Sequence, residues 1–396
     1  MTKLKVSFLS SSITLVIVAL TYVFIFPNSL SKKDLIFEDV FQEADSVKTS
    51  ASVDRETITN DIYSSRRNII TETVAKVSPA IVGINVTEVR QYRAPWSRDP
   101  FWRQFFGSGI YNEKIKGLGS GAIISPDGYI LTNDHVAGSA NEIIVTLSDG
   151  TQHQAKVIGT DQTTDICLLK IDSKNLPFVN LGNSDDVIIG EWVIALGNPF
   201  GLFSLSDKPT VTVGVVSAVG VNLNPKDNRF YLNMIQTDAS INQGNSGGPL
   251  VNSLGEVIGM NTIIYTAEGS SGNVGVGFAI PVNKIKKVIA ELKTKGNFDR
   301  NYWTGLRIHT IDKGIQNYFN LPNSRGVIVT EVIPNSPGAD AGLEAGDIIM
   351  EINDFRVDNE DIMIGVLYNY KTNETIRLKI WRNGNTYVKR MKLESR

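Results

Sequence analysis

"INQGNSGGPLV", residues 241–251, sets three glycines and one proline around a single serine, Ser246. A surface turn accounts for two of the glycines. It does not account for the apolar run Pro249-Leu250-Val251 that follows at once. A nucleophile accounts for both. Its Oγ must stand clear of the backbone while adjacent N–H groups converge on one point, where they hold a developing oxyanion. Glycine lets the backbone take the conformations that such convergence needs. Ser246 is therefore a candidate nucleophile, and its partners must lie elsewhere in the chain.

A serine of this kind needs a general base, and the chain has three histidines: His135, His153 and His309. His135 sits in "YILTNDHVAG", where an apolar strand turns into polar residues, a placement that holds a side chain rigid at the edge of a cleft. His153 lies in the alternating polar stretch "GTQHQAKV" and reads as a solvated strand residue. His309 belongs to the last segment, far along the chain. The base must in turn be oriented by a carboxylate that fixes its tautomer and stabilises the imidazolium. "GTDQTTDICLLKI" offers Asp161 and Asp165. Asp165 directly precedes an apolar strand run, which would carry it inside; Asp161 reads as a turn residue.

Around this constellation the composition is that of a globular protein. Hydrophobic residues make up 42% of 396 residues, enough for real cores in two or three domains. With 39 basic and 41 acidic residues the net charge is −2, and no basic stripe supports a nucleic-acid partner. The one cysteine, Cys167, excludes an internal disulfide framework and a cysteine-clustered metal site, and no cofactor is expected.

At the N-terminus, Lys3 and Lys5 precede an uncharged stretch, residues 6–26, which matches the ~20 residues needed to cross a bilayer core. The expected small-x-small cleavage site after it is poor, around Ser29 and Ser31, so the stretch is read as an uncleaved signal anchor behind a short cytoplasmic tip, residues 1–5. Residues 27–70 are polar and aperiodic and read as a tether. From "VAKVSPAIVGINV" onward short apolar runs alternate with Gly-Asp, Asp-Gly and Asn-Pro turns, an all-β signature that lasts to about residue 282. The domain it marks is taken as 71–283. The period then changes. Ile285, Val288, Ile289 and Leu292 recur at helical spacing ahead of Gly296, giving a linker helix over 284–299. A last β-containing domain spans 300–396, with a short helix over 358–370.

Taken in order, "TNDHV", "TDICLLKI", "GNPFG", "QTDASINQGNSGGPLVNSLGEVIGMNT" and "GVGFAIP" resemble the HtrA/Deg family of serine proteases, over roughly residues 70–395. The resemblance implies a mainly β fold: a chymotrypsin-like pair of six-stranded barrels with the site in the cleft between them. It implies His135 as base, Asp165 as its orienter and Ser246 as nucleophile, with the backbone N–H groups of Gly244 and Ser246, flanking Asn245, as the oxyanion hole. It also implies a homotrimer. "DPFWRQFFG", residues 99–107, resembles a loop that relatives use between protomers, although packing on its own barrel is the plainer alternative. Two departures stand out: about six extra residues at 203–208, and Val221 where relatives carry an arginine that couples loops during activation.

Asn245 is neutral where trypsin-like zymogens place an acid for a freed N-terminus, so an ion-pair switch is unavailable and activation must come from loop ordering or ligand binding. Six positions before Ser246 stands Ser240, with Ile241 beside it and Ile264 on the next strand. No acid is there, which favours a small or medium apolar residue on the substrate; ordinary core packing is the alternative for both isoleucines.

"GVIVTEVIPNSPGADAGLEAGDIIMEIND" and the segments around it resemble one PDZ domain. Such domains add a peptide to a sheet edge and hold its terminal carboxylate in a backbone nest. By position Tyr302, Trp303, Thr304 and Gly305 form the nest, while Leu306, Ile308, Ile362 and Val366 line the groove. The reading that follows is a membrane-anchored serine endopeptidase of the bacterial envelope, acting on unfolded or regulatory envelope proteins and controlled by peptide C-termini at its PDZ domain. The alternative is a non-proteolytic chaperone or peptide-binding scaffold. The intact His135, Asp165 and Ser246 argue against it. A mitochondrial relative is disfavoured because the N-terminus lacks an Arg-rich, acid-poor stretch.

Overall fold

Runs of branched apolar residues cut by tight turns form antiparallel strands, because a pleated surface buries one side-chain row and turns the other outward. The computed structural model describes residues 66–93, 110–198, 208–242, 244–264 and 275–396. The expected anchor at 6–26, nearly all of the tether, the aromatic loop at 99–107 and all of the 203–208 insertion except Lys208 lie outside those residues. Among the described residues no helix is long and apolar enough to cross a membrane.

The first six strands are β1 (Ile81–Arg93), β2 (Ile110–Ile123), β3 (Tyr129–Thr132), β4 (Glu142–Thr146), β5 (Gln152–Asp161) and β6 (Ile166–Ile171). They close into a barrel in the order β1-β2-β3-β6-β5-β4. Ile81, Ile84, Ile123, Ile130, Leu169 and Ile171 fill it and are fully buried. Each such side chain contributes about 1.5–3 kcal/mol on removal from water. After β7 (Asn180–Leu181) come β8 (Trp192–Gly197), β9 (Thr210–Val221), β10 (Met234–Thr237), β11 (Pro249–Asn252), β12 (Glu256–Ile264) and β13 (Gly277–Pro281). Their order is β11-β8-β9-β10-β13-β12, and β11 pairs with β12, so a second six-stranded barrel closes.

Leu131, Ile166 and Leu168 of the first barrel meet Met234, Met260, Phe278 and Ile280 of the second in one buried cluster. The linker helix Val282–Lys295 presses Ile285, Val288 and Leu292 onto that seam. Its apolar period was readable, but its bounds lie earlier than 284–299. Pro281 occupies the N-cap, and Gly296 stops the helix in the left-handed conformation at φ +76°. Beyond it a sheet carries β14 (Leu306–Thr310), β15 (Val327–Val332), β16 (Ile348–Ile352), β18 (Thr375–Arg382) and β19 (Asn385–Lys392), in the order β14-β15-β16-β18-β19, with β17 (Phe355–Arg356) on β16. The helix Glu360–Leu367 covers it, shorter than the expected 358–370 because the extended Asn359 caps it, accepting from the Ile362 N–H at 2.9 Å. The strand β14 is at the sheet edge, where a peptide could add.

Candidate active site

His135 stands on a single helical turn, Asp134–Ala137, immediately after β3. Its neighbour Asn133 reaches across to donate to the Asp165 carbonyl at 3.0 Å, which ties this turn to the one preceding β6. Asp165 itself holds φ +62° and is fully buried. Aspartate is among the few residues that tolerate this region. The turn aims its carboxylate at His135: Nδ1 lies 2.9 Å from Oδ1 and 2.8 Å from Oδ2, and the His135 main-chain N–H donates to Oδ1 at 3.0 Å. Since an ionised carboxylate only accepts, Nδ1 carries the proton and Nε2 faces the cleft as an acceptor.

Two further donors serve the same carboxylate. Thr262 Oγ1 donates to Oδ2 at 2.7 Å, and the Tyr231 hydroxyl donates at 3.3 Å. Burial alone would raise the Asp165 pKa. The hydrogen bond and charge of His135, with the Thr262 bond, overcome it and hold the carboxyl below its usual range. Burial pushes the Tyr231 phenol up, so it stays a donor. Arg229 completes the surroundings, with Nε 3.3 Å from Asp165 Oδ1 and its guanidinium 2.8 Å from Asp134 Oδ2.

Ser246 sits in the turn ahead of β11, with Gly244 at φ +96° and Gly247 at φ +84°. The turn is pinned on several sides. Ser120 donates its main-chain N–H to the Ser246 carbonyl at 2.9 Å and its hydroxyl to the Gly244 carbonyl. The amides of Asn245, Gly247 and Gly248 are spent on Asn242, Asn261 and Asn245 carbonyls. Among the described residues, no protein acceptor takes the amides of Gly244 or Ser246. These two are the donors that an oxyanion would need. The Ser246 hydroxyl donates to the Thr262 carbonyl at 3.0 Å. Ser246, Gly244 and His135 line one cleft with Val136, Leu118 and Ile115. Asn245 is buried, and its Oδ1 has no hydrogen-bond partner among the described residues.

The other residues singled out in the sequence fall as follows. Ile241 is fully buried in the core of the second barrel with Val193, Ile235, Leu250 and Ile258. Ile264 ends β12, and its side chain lies outside the described residues. His153 is on β5, and His309, on β14, contacts Glu360 at 3.2 Å. Asp161 needs correcting: it is no plain turn residue but the buried last residue of β5, held by both Arg300 nitrogens at 2.7 and 2.8 Å. In the C-terminal domain two nest assignments also need correcting. The Tyr302 and Trp303 amides already donate to the Arg300 and Glu394 carbonyls, whereas among the described residues no acceptor takes the amides of Thr304 and Gly305 (φ +69°). Leu306, Ile308 and Ile362 are half-buried, whereas Val366 is buried in the domain core.

Residues 119–260 match the family described as trypsin-like peptidase domain, and 305–393 match the PDZ domain family. A protein called probable periplasmic serine endoprotease DegP-like, from Marinomonas sp. (strain MWYL1), is 40% identical over 344 residues, covering 82% of this chain and 71% of that one. The chain belongs to the HtrA/Deg family of serine proteases. A relative of the same description from Pseudomonas putida (strain GB-1) is 41% identical over 332 residues, 79% of this chain and 67% of its own. Among solved structures, HtrA-type protease AlgW with decapeptide aligns at TM-score 0.62 and 33% identity, covering 83% of this chain and 99% of that one. The serine endoprotease from Yersinia pestis aligns at TM-score 0.54 and 32% identity, covering 83% and 98%.

Within this HtrA-type frame the chain is a serine endoprotease with one PDZ domain. Sequence reading missed the helpers of Asp165. Thr262 lies in the apolar run "IGMNTII", and Tyr231 and Arg229 lie in "NPKDNRFYLN"; nothing in their spacing relates them to residue 165. Only the closing of two barrels against each other does so.

Proposed function

We propose that Ser246 is the nucleophile, His135 its base and Asp165 the carboxylate that orients it, in a peptidase of the bacterial envelope. One observation carries this reading: a fully buried carboxylate grips Nδ1 of a histidine whose other nitrogen faces the cleft that Ser246 lines. In the reaction His135 takes the Ser246 proton as Oγ attacks the scissile carbonyl, then returns it to the leaving amine. The Gly244 and Ser246 amides hold the oxyanion. The Ser246 hydroxyl engaged by the Thr262 carbonyl fits a regulated enzyme, since it must turn to the imidazole before attack. Residues 6–26 anchor the chain in the inner membrane with the protease on the periplasmic side, three copies assemble, and the substrates are unfolded or regulatory envelope proteins cut after small or medium apolar residues.

Peptide C-termini enter along β14, their carboxylates near Thr304 and Gly305, and shift the balance between resting and active cleft. Coupling of ~1–3 kcal/mol corresponds to roughly a 5- to 150-fold change in rate. The test is cleavage of unfolded protein by the wild type and by Ser246→Ala, with and without peptides ending in apolar residues. The variant is expected to keep its fold and lose on the order of 10⁶ in rate. Undiminished cleavage would remove Ser246 from the role. Peptide binding without any rate change would leave the PDZ domain as a substrate tether.

A further inference from the structure

The connection between β9 and β10 folds back on itself as a small hairpin. Its turn is made by Asp227 and Asn228, both with left-handed φ (52° and 60°), and Lys226 and Arg229 exchange backbone hydrogen bonds across it. The returning arm, residues 229–232, runs between two different parts of the molecule. Its Phe230 N–H donates to the Thr163 carbonyl at 2.9 Å, fastening it to the turn that carries Asp165. Along an extended arm successive side chains point to opposite sides. Here Arg229 and Tyr231 point to the catalytic carboxylate, at 3.3 Å each. Phe230 and Leu232 point to the PDZ domain: Phe230 meets the Tyr368 ring edge-on at 5.1 Å, and Leu232 is buried in the PDZ core cluster.

The PDZ side is shaped for this contact. Gly365 lies inside the helix Glu360–Leu367, where glycine is a poor choice for helix stability. A Cβ there would come within 2.7 Å of Leu232 Cδ1 and 2.8 Å of Phe230 Cδ1. The glycine lets the two surfaces close. The same helix carries Ile362 beside the peptide groove.

We propose that Arg229 is a positioning residue for Asp165, and that the seating of Phe230 and Leu232 on the PDZ helix at Gly365 sets where Arg229 stands. This rests on the reading of Ser246, His135 and Asp165 as the catalytic triad. Arg229 bridges two carboxylates: Asp165, which holds the imidazole, and Asp134, the residue just before His135. Burial works against its charge, but the Asp134 bond and the field of Asp165 keep it protonated. The other side chains that touch this pair besides His135 carry no charge at working pH, while Glu88 of β1 lines the same cleft as His135. Tyr231 from the hairpin stays a phenol, Thr262 from β12 is neutral, and the Cys167 thiol on β6 is pushed up to about 12 by burial. The nearby Asp161 is neutralised by Arg300. The guanidinium is thus the cation that opposes accumulation of positive charge on the imidazole. Shifting it changes the pH at which the base works.

The test is the pH profile of kcat/KM for the full chain, comparing wild type with Arg229→Gln, Arg229→Lys, Gly365→Ala and Ser246→Ala. Loss of the guanidinium leaves Asp134 and Asp165 without the cation they share, which favours the protonated form of the imidazole that Asp165 holds. The acid limb is therefore expected to move to higher pH by about one unit in Arg229→Gln. Arg229→Lys should restore part of the shift. Gly365→Ala, which touches none of the reacting groups, should move the limb in the same direction by a fraction of a unit, because the added methyl displaces Phe230 and Leu232. Alanine is the better helix former, so this variant also serves if Arg229→Gln does not fold. Limbs that coincide with wild type in Arg229→Gln and Gly365→Ala, with Ser246→Ala inactive, would overturn the role of Arg229 and leave the triad standing. An active Ser246→Ala would instead remove the triad reading on which it rests.

Discussion

Asp165 shows how much one residue can be made to do by its backbone. A left-handed φ in a non-glycine residue costs about 1–3 kcal/mol, and the hydrogen bonds to His135, Thr262 and the Asn133 side chain offset it. Because its folded pKa lies below the ordinary carboxylate value, Asp165 contributes stability above that value, and the contribution disappears as pH falls through the lower folded one. The stability of the barrel seam is therefore expected to fall on the acid side of pH 4, below the acid limb of activity that His135 sets, and Asp165→Asn should flatten that stability loss in denaturation measured against pH. Gly247 is constrained as tightly. At φ +84° an alanine Cβ would meet the Ser120 carbonyl oxygen at 2.2 Å and Thr132 Oγ1 at 2.3 Å. Gly247→Ala should cost about 3 kcal/mol or more in urea unfolding and displace Ser246 as well. His135, Asp165 and Ser246 were legible in the sequence because each sits at a break in a strong local pattern. Thr262, Tyr231 and Arg229 were not, since their meaning lies in which surfaces meet.

At the scale of elements, the linker helix was readable and its role was not. Its stripe of Ile285, Val288 and Leu292 announces a helix, but the barrel seam it covers and the residues that follow it appear only on folding. Arg300, just beyond, donates to both oxygens of Asp161 in the protease and to the Tyr368 carbonyl in the PDZ domain. The side chains of this pair are only 12% and 4% exposed. Removing one partner strands a buried charge, so Arg300→Ala is expected to cost about 3 kcal/mol or more, read as an earlier denaturant midpoint. An unchanged midpoint would show that the PDZ domain needs no such tie. The PDZ nest illustrates the limit of placing residues by position. Tyr302 and Trp303 occupy the expected segment, but their amides are drawn to Arg300 and Glu394, which sequence spacing cannot reveal. Val221 ends β9 and is half-buried against the apolar cluster that includes Tyr231. The contacts with Asp165 are made by Arg229 and Tyr231 on the returning arm that follows it.

For the whole molecule, the alternation of strands and turns was enough to foresee an all-β domain followed by a second β-containing one, because the strands bury one face and the turn residues punctuate them; the pair of barrels came from the family resemblance. How the domains grip each other was not foreseeable. The neutral, buried Asn245 carries over to this scale: with no carboxylate to receive a freed N-terminus, a chain beginning near residue 60 with added residues should cleave as fast as one without them. Strict dependence on a free terminus in that comparison would contradict the absence of an ion-pair switch. The central claim is that Ser246 attacks, driven by His135 and Asp165. It is tested most directly by exposing the full chain to a fluorophosphonate and locating the adduct by peptide mass. One label per chain on Ser246 is expected, absent in Ser246→Ala and much slower in Asp165→Asn; a label on another residue, or one that survives Ser246→Ala, would contradict it.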